Sequence, residues 1–344
     1  MRRIFIVQLL FLLMLFIIGC GNSNNDENKT SNSNEEKYVT VTFDSTGGSD
    51  VASQKLEKNS KVIEPAEPER IGYVFDGWFY GTRRWKFDTQ TVSSNITLTA
   101  RWNEYFIMQV DEDGIIINGV SKTLNVREII IPNSIDGKAI KGIGNNAFSS
   151  CTELRSITIP NTVETIGDYA FMHCIYLKEI TIPESVISIG SYAFAYSGLT
   201  NMVIPNSVTS LGDHAFDSCN SLESVTLSNN IENIGDNTFC YCRSLKNINI
   251  PNGVISIGEE AFSNCDSLTS TIIPNSVTSI GKEAFKFCSS LESIVIPSSV
   301  THMGISVFMY CGLLVINCES SEQPSEWDEY WNVFDNQVIW GFKK

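Results

Sequence analysis

The chain has 344 residues, of which 42% are hydrophobic and 18% charged, so it can fold and has room for two or three domains. The formal net charge is −15, and cleavage before Cys20 would remove Arg2 and Arg3 and take it to −17. Binding to phosphates needs clustered Lys and Arg side chains, so this balance argues against nucleic acid as a partner.

A targeting segment opens the chain, with Arg2 and Arg3 before the almost wholly apolar residues 4–18, and with Gly19-Cys20 after them. It resembles a bacterial lipoprotein signal, in which a small residue precedes the Cys that is lipidated. The resemblance implies a signal peptide over residues 1–19, export, and lipid anchoring through Cys20 at the cell membrane or cell surface. An ordinary signal peptide or a membrane helix is the alternative, although a span needs about 20 apolar residues.

Residues 20–37 are predicted to be a disordered tether. Beyond Cys20 they are mostly Asn, Ser, Glu, Asp and Lys, without a large apolar residue. Such a segment cannot bury enough surface to offset the entropy lost on ordering.

Residues 38–103 show the alternation of a β-strand at Val39, Val41 and Phe43, followed by an aromatic segment from Gly72 to Trp78. The Gly-Tyr-x-Phe-x-Gly-Trp pattern resembles the Listeria–Bacteroides repeat, a small β-grasp module of bacterial surface proteins. The resemblance implies a spacer or adhesion unit.

Residues 104–123 are predicted to form a β-hairpin cap for the following repeats, turning at Asp113-Gly114. The acidic run 111–113 could suggest calcium, but its spacing does not fit an EF-hand loop, so a turn is favoured.

A 23-residue repeat then fills residues 124–318. Its Ile-Gly step, with Leu211 and Met303 in place of Ile in two repeats, recurs at eight glycines, each followed four residues later by Phe, from Phe148 to Phe308. The glycines are Gly144, Gly167, Gly190, Gly212, Gly235, Gly258, Gly281 and Gly304. A fixed period of this size predicts a solenoid. Each Gly is expected to serve either a positive φ or a close backbone approach.

Strands are predicted at the Ile-x-Ile-Pro positions, with the first and third residues inward and the middle one exposed. The predicted strands are Ile129–Ile131, Ile157–Ile159, Ile180–Ile182, Met202–Ile204, Val225–Leu227, Ile248–Ile250, Thr271–Ile273 and Ile294–Ile296. The Ala-Phe step is expected to be a helical turn. The pattern resembles the BspA-like leucine-rich repeat family, which implies an α/β solenoid with a parallel sheet, preceded here by the small β-grasp domain. Two repeats are one residue short, and the first is five residues longer, through residues 136–140.

Seven cysteines share one repeat position: Cys151, Cys174, Cys219, Cys242, Cys265, Cys288 and Cys311. Disulfides, metal ligation and a reactive thiol are possible, but repetition at the structural period favours a ladder of buried thiols. Cys240 lies outside this column and is expected to be exposed. No second ligand column supports zinc, so no metal is predicted.

Catalytic motifs are absent from the sequence. His173, His214 and His302 occupy different variable columns, and no nucleophile elbow, His-Glu-x-x-His or phosphate loop occurs. A parallel β-helix lyase or glycosidase is the enzyme alternative, but the exposed strand positions are mostly Ser, Thr and Asn. We therefore predict no enzyme and no cofactor.

Residues 319–344 are rich in aromatic side chains, including Trp327, Trp331 and Trp340, and resemble the end segment of BspA-like proteins. A cap over the last repeat is favoured over a carbohydrate-binding patch.

The combined resemblance implies a lipid-anchored surface adhesin that binds host extracellular-matrix or cell-surface proteins, or other bacterial cells. The default binding face is the exposed strand positions, represented by Glu179, Asn201, Ser224, Asn247, Thr181, Thr226 and Asn249. A carbohydrate-binding protein and a passive envelope scaffold are the alternatives.

Overall fold

The computed structural model describes residues 37–121, 126–312 and 314–343. The predicted signal peptide, the lipidation site Cys20 and all but the last residue of the predicted tether therefore lie outside the described residues.

The N-terminal unit is built on a five-stranded mixed sheet. Across the sheet, the strands are Gln54–Glu57, Tyr38–Asp44, Ile96–Glu104, Tyr73–Tyr80 and Arg83–Arg84. Ser60–Lys61 and Thr91–Val92 form a separate antiparallel pair. Its own core contains Val41, Trp78 and Leu98, and the Phe43 ring meets the Trp78 ring edge-on at 4.9 Å. This packing is independent of the repeats because the two clusters of buried residues are distinct.

An antiparallel hairpin of Phe106–Val110 and Ile115–Val120 follows. Its turn is closed by the Asp111 carboxylate, which accepts hydrogen bonds from the backbone N–H groups of Asp113 and Gly114. Ile115–Val120 also pairs in parallel with Lys138–Ile143, so the hairpin adds its second strand to the repeat stack.

The repeats stack into two strips of parallel strands, of which the first is divided into three hydrogen-bonded groups and the second into two. The first strip, called the front sheet below, contains Glu128–Ile130, Ser156–Thr158, Asn201–Val203, Ser224–Thr226, Asn247–Asn249, Ser270–Ile272, Ser293–Ile296, Val315–Cys318 and Gln337–Trp340. The second strip, called the side sheet, contains Ile115–Val120, Lys138–Ile143, Thr165–Ile166, Ser188–Ile189, Ser210–Leu211, Asn233–Ile234, Ser256–Ile257, Ser279–Ile280 and His302–Met303. Ser134–Ile135 forms a short antiparallel pair with Lys138–Ile143. The predicted parallel-sheet solenoid is confirmed.

The front strands begin about one residue before their predicted positions, and most end earlier too. In most repeats the third predicted residue precedes a Pro, which has no N–H to continue the ladder. The prediction of a strand over Ile180–Ile182 is wrong, because this segment forms no ladder with either neighbour.

The Ala-Phe step is a series of turns, and the described residues contain no α-helix. Glu283 and Phe287, on either side of Ala284-Phe285, have φ values of 56° and 60°, and the same two positions are left-handed in the other repeats. Left-handed residues every fourth position are incompatible with a right-handed helix. Alternate N–H groups instead bond to the next repeat, as from Phe285 to the Val307 carbonyl at 2.9 Å.

One column of phenylalanines forms the centre of the solenoid. The eight rings from Phe148 to Phe308 are at most 1% exposed and stack with neighbouring centroids 5.2 to 5.7 Å apart. Trp331 meets the last ring edge-on at 6.3 Å, and Gln337–Trp340 adds a final parallel strand. The C-terminal aromatic residues thus cover the end of the stack.

Candidate binding surface

The exposed side of the front sheet, called the strand face below, carries all the predicted binding residues. Parallel pairing sets Asn201, Ser224 and Asn247 side by side, and it does the same for the positions two residues later. The predicted residues are all exposed: Glu179, Thr181, Asn201, Ser224, Thr226, Asn247 and Asn249. The Ser224 hydroxyl donates a 2.6 Å hydrogen bond to the Asn201 side-chain oxygen, so part of this face is already ordered.

Four apolar side chains also protrude from the strand face, and the fourth, Ile339 on the last strand, is 39% exposed. Ile130, Val203 and Ile272 are 74%, 62% and 70% exposed, although they belong to the same column as the predicted polar residues. Single aliphatic side chains of this kind are common on protein surfaces, so they extend the strand face without by themselves marking a binding site. The sequence signal for them was an apolar residue at the middle position of Ile-x-Ile.

Cations flank the strand face at its N-terminal end. Arg127, Arg155 and Lys178 occupy equivalent positions in three successive repeats and are fully or largely exposed. Arg127 lies 4.0 Å from Glu153, whereas Arg155 and Lys178 have no ion pair within the described residues. Farther along, Lys246 pairs with Glu223 at 2.7 Å. Because Glu128 and Glu179 directly follow Arg127 and Lys178, both signs of charge are present at this end of the strand face.

The interruption at residues 179–182 opens a groove in the strand face. Within the described residues, the backbone N–H groups of these four residues donate to no protein oxygen. The next repeat instead bonds to the residue just before them, from Thr200 N to the Lys178 carbonyl oxygen. Ile180 is half-buried, whereas the corresponding Ile157 and Met202 are 7% and 2% exposed. The resulting groove has a volume of about 590 Å³. It is lined by Ser156, Ile157, Glu179, Ile180, Thr181, Ile182, Glu184, Asn201, Met202, Val203 and Pro205.

The groove combines features that a peptide would use. The exposed Thr181 and Asn201 side chains can hydrogen-bond to an extended chain, and Ile180 and Val203 offer apolar contacts. Glu179, Thr181 and Asn201 of the predicted set lie at this groove, whereas Asn247 and Asn249 lie farther along the sheet.

The cysteine column is explained by packing. The thiol of Cys265 donates to the Phe239 carbonyl of the preceding repeat at 3.3 Å, and the other column thiols except Cys151 make the same contact. All cysteines of the described residues are free thiols, and burial raises the pKa of Cys219 to about 12. The expectation that Cys240 is exposed is wrong, because its side chain is only 2% exposed. Such thiols are poor nucleophiles.

The histidines are held by stacking and by carboxylates. His214 stacks on Tyr192 at 4.1 Å, His173 stacks on Tyr196 at 4.6 Å, and His302 Nε2 lies 2.9 Å from Glu326. These aromatic neighbours were not apparent as pairs in the sequence, although they occupy equivalent positions in successive repeats.

One cluster has the composition of a catalytic triad but the wrong connections. His214 Nδ1 lies 3.1 Å from one oxygen of Asp217, and the Ser218 hydroxyl donates to the other oxygen at 2.8 Å. The Asp217 carboxylate therefore lies between His214 and Ser218. Activation of a serine requires instead that the imidazole lies between the carboxylate and the serine hydroxyl. The parts of the chain that the structure describes also contain no group of His, Cys, Asp or Glu side chains arranged for a metal ion.

The C-terminal tryptophans pack inward. Trp327 and Trp331 are 5% and 4% exposed, and Trp327 Nε1 donates to the Val300 carbonyl at 3.1 Å. The rings of Trp327 and Trp331 are thus unavailable to a sugar, whereas Trp340 is only half-buried and packs against Trp327 at 5.8 Å. Within residues 37–121, 126–312 and 314–343, no helix has the length and apolarity needed to cross a bilayer.

Two protein families match the chain. The BspA type leucine-rich repeat region matches residues 118–239 and 212–327, and the Listeria-Bacteroides repeat domain matches residues 40–101. Neither match indicates a catalytic family. Proteins with BspA-type repeats are cell-surface proteins.

Related sequences cover only part of the chain. A sequence from Evansella cellulosilytica named as a Gly-rich membrane protein is 35% identical over 114 residues, which are 31% of this chain and 13% of that protein. A second membrane protein of the same organism is 42% identical over 78 residues, which are 21% of this chain and 12% of that protein. The matched segments therefore span only a small part of the length of these relatives.

Solved structures share the architecture. A leucine-rich repeat protein from Bacteroides ovatus is 28% identical, with a TM-score of 0.57 and coverage of 70% of each chain. The T. pallidum leucine-rich repeat protein is 29% identical, with a TM-score of 0.51 and coverage of 54% of this chain and 88% of that one. With its repeat region matched across most of the solenoid, the chain belongs to the BspA-type leucine-rich repeat family.

Proposed function

We propose that this protein is a cell-surface adhesin that binds other proteins through the strand face of its solenoid. The observation that carries the proposal is the open groove at the interruption of the front sheet, where the exposed Val203 side chain lies beside the exposed hydrogen-bonding side chains of Thr181 and Asn201. The partners are host extracellular-matrix or cell-surface proteins, or proteins of other bacterial cells. Neither an enzymatic role nor a cofactor is part of this proposal.

Lipid on Cys20 is the proposed attachment to the membrane, and the following polar segment spaces the folded part from it. The support is the sequence alone, together with the surface location of the family. Metabolic labelling with a radioactive fatty acid tests the anchor. The unaltered chain should be labelled and Cys20→Ser should not; labelling of the variant would remove the anchor from the proposal.

Binding is tested with the full chain in detergent micelles against immobilised matrix proteins and whole cells. Val203→Glu places a carboxylate at the groove, and Ile255→Glu makes the same change at an aliphatic side chain that is 45% exposed and lies outside the front sheet. A partner that covers Val203 should bind the first variant at least about tenfold more weakly, because a buried carboxylate needs compensation. The second variant should bind like the unaltered protein.

Equal binding by both variants would place the contact away from the groove. The absence of any binding partner for the unaltered chain would favour the passive scaffold. Charged substitutions at Asn201, Ser224 and Asn247 then map how far a contact extends along the strand face, since these residues lie in one register.

A further inference from the structure

A second groove runs along the side sheet, apart from the strand face. It has a volume of about 710 Å³ and crosses four repeats. Its floor follows the glycine column at Gly144, Gly167, Gly190 and Gly212. The flanking rows are polar: Thr165, Ser188 and Ser210 precede the glycines by two residues, and Asn145, Asp168 and Ser191 directly follow the first three of them.

The floor is bare because the repeats approach each other closely there. A Cβ atom on Gly190 would lie 2.6 Å from the Asp168 backbone nitrogen, and one on Gly212 would lie 2.3 Å from the Ser191 nitrogen. These glycines do not have positive φ values, so close approach is the reason for the column. The same constraint leaves a continuous trough without side chains.

The walls offer hydrogen-bonding groups that the protein does not use. The hydroxyls of Thr165, Ser188, Ser191 and Ser210 have no hydrogen-bond partner within the described residues. Asn145 and Asp168 each use one side-chain oxygen to accept a backbone N–H of the next repeat, which fixes their orientation. The groove therefore combines a rigid floor with free hydroxyls.

The spacing of these hydroxyls can be compared with the repeat distances of extended polymers. Thr165, Ser188 and Ser210 are in register on adjacent parallel strands, so they repeat about every 4.8 Å along the solenoid. An extended polypeptide repeats about every 3.3 Å and falls out of step with them. The rise of one sugar ring in an extended β-linked hexose chain is close to the strand spacing.

The charge of the groove limits the chemical class of the ligand further. Asp168 is the single charged residue among those that line it, and no Lys or Arg is present. A polyanion such as a uronic acid polymer lacks a counter-charge here, whereas a neutral sugar chain needs only hydrogen bonds. We propose that this groove binds a neutral, extended β-linked polysaccharide, with one ring per repeat held by the Thr165, Ser188 and Ser210 hydroxyls.

The C-terminal half of the side sheet provides an internal comparison. There, the residues that follow the glycines include Glu259 and Lys282, whose side chains join across two repeats at 2.8 Å. Ser279 nevertheless occupies the same repeat position as Ser188 and is similarly half-buried. Ser279 is therefore the matched control for a substitution in the groove.

Isothermal titration of the full chain, in a detergent without a sugar headgroup, tests the site with cellohexaose and maltohexaose. The two sugars have the same composition, but only the β-linked one is extended. We expect cellohexaose to bind at least about tenfold more tightly, since several modest hydrogen bonds add along the ligand. Equal binding of the two sugars, or no binding of cellohexaose, would overturn the proposal.

Ser188→Tyr should weaken cellohexaose binding at least about tenfold by filling the groove, and Ser279→Tyr should leave it unchanged. If Ser188→Tyr lowers the melting temperature, Ser210→Tyr, at an exposed position in the same row, replaces it. Unaltered cellohexaose binding by a folded Ser188→Tyr or Ser210→Tyr variant would contradict the proposed polysaccharide site. Protein partners of the strand face should bind all three variants equally, which separates this site from the proposed adhesin surface.

Discussion

Arg70 of the N-terminal unit and Asp136 of the solenoid form a paired contact, with the Arg70 Nη2 atom 3.1 Å from both carboxylate oxygens. The Tyr73 hydroxyl donates a third bond to the same carboxylate at 2.8 Å, and the Arg70 guanidinium lies 3.8 Å from the centre of the Tyr73 ring. Asp136 belongs to the insertion that lengthens the first repeat. That insertion thus fastens the N-terminal unit to the stack.

Asp136→Asn should loosen this contact. We expect faster amide hydrogen exchange at Tyr73 and Tyr105, whose N–H groups donate to the Arg70 and Gly72 carbonyls. The protection free energy there should fall by about 1 kcal/mol or less, because the Asp136 side chain is half-exposed. Asp113→Asn, in the turn of the cap hairpin, is the control and should leave that exchange unchanged. Unchanged protection at Tyr73 and Tyr105 in Asp136→Asn would contradict the docking role.

The same contact should depend on pH. Hydrogen bonds from Tyr73 and then Arg70 lower the pKa of Asp136 below its usual 3.8, and the bond to Asp136 raises the pKa of Tyr73 above 10.0. The carboxylate contribution is therefore present above pH 3.8 and lost as pH falls through the lowered value. The Tyr73 contribution is present below pH 10.0 and lost as pH rises through the raised value. Hydrogen exchange should be measured as a function of pH for the unaltered chain and for Asp136→Asn. The extra protection between these two pH limits should appear only in the unaltered chain.

The thiol column should resist chemical modification. Burial raises the pKa of Cys174, Cys219 and Cys311 to about 12, so almost no thiolate is present near neutral pH. Half-buried Cys151 at the start of the column should react first with iodoacetamide. Mass spectrometry of the alkylated native protein measures the order. Fast labelling of Cys219, or a disulfide between neighbouring repeats, would refute the buried-thiol arrangement.

Gly212→Ala should disturb the repeat stack. Its Cβ would lie 2.3 Å from the Ser191 nitrogen and 2.5 Å from the Gly190 carbonyl carbon, which are backbone atoms that cannot move aside. We expect a loss of about 1–3 kcal/mol in the free energy of unfolding. Gly253→Ala is the control, because the atom nearest to its added Cβ would be the Asn229 carbonyl oxygen, at 3.2 Å. Denaturant titration should separate the two variants, and equal stability would count against the close approach.

Phe239→Ala should remove one ring from the middle of the stacked column. The ring is 0% exposed and lies between Phe216 and Phe262 at 5.5 Å on each side, so the cavity should cost about 3–5 kcal/mol. Tyr241→Ala, at a side chain that is 40% exposed in the same turn, should cost far less. Thermal unfolding followed by circular dichroism compares them, and similar melting temperatures would contradict the central role of the column.

The sequence by itself determined the solenoid and its interior. Positions such as Phe285 and Cys288 repeat at the period of the stack, so each residue meets its own equivalent in the next repeat, and a column can be identified without coordinates. The inward and outward sides of the front strands followed from the same alternation.

Only the tertiary structure decided where this regularity fails and what the failures produce. The missing strand at residues 179–182, the left-handed turns around Ala284-Phe285, and the free hydroxyls beside Gly190 depend on how neighbouring repeats are offset and hydrogen-bonded. Arg70 meets Asp136 across 66 positions, between units that share no repeat pattern. A period predicts contacts between equivalent residues, whereas contacts between non-equivalent residues require the packed chain.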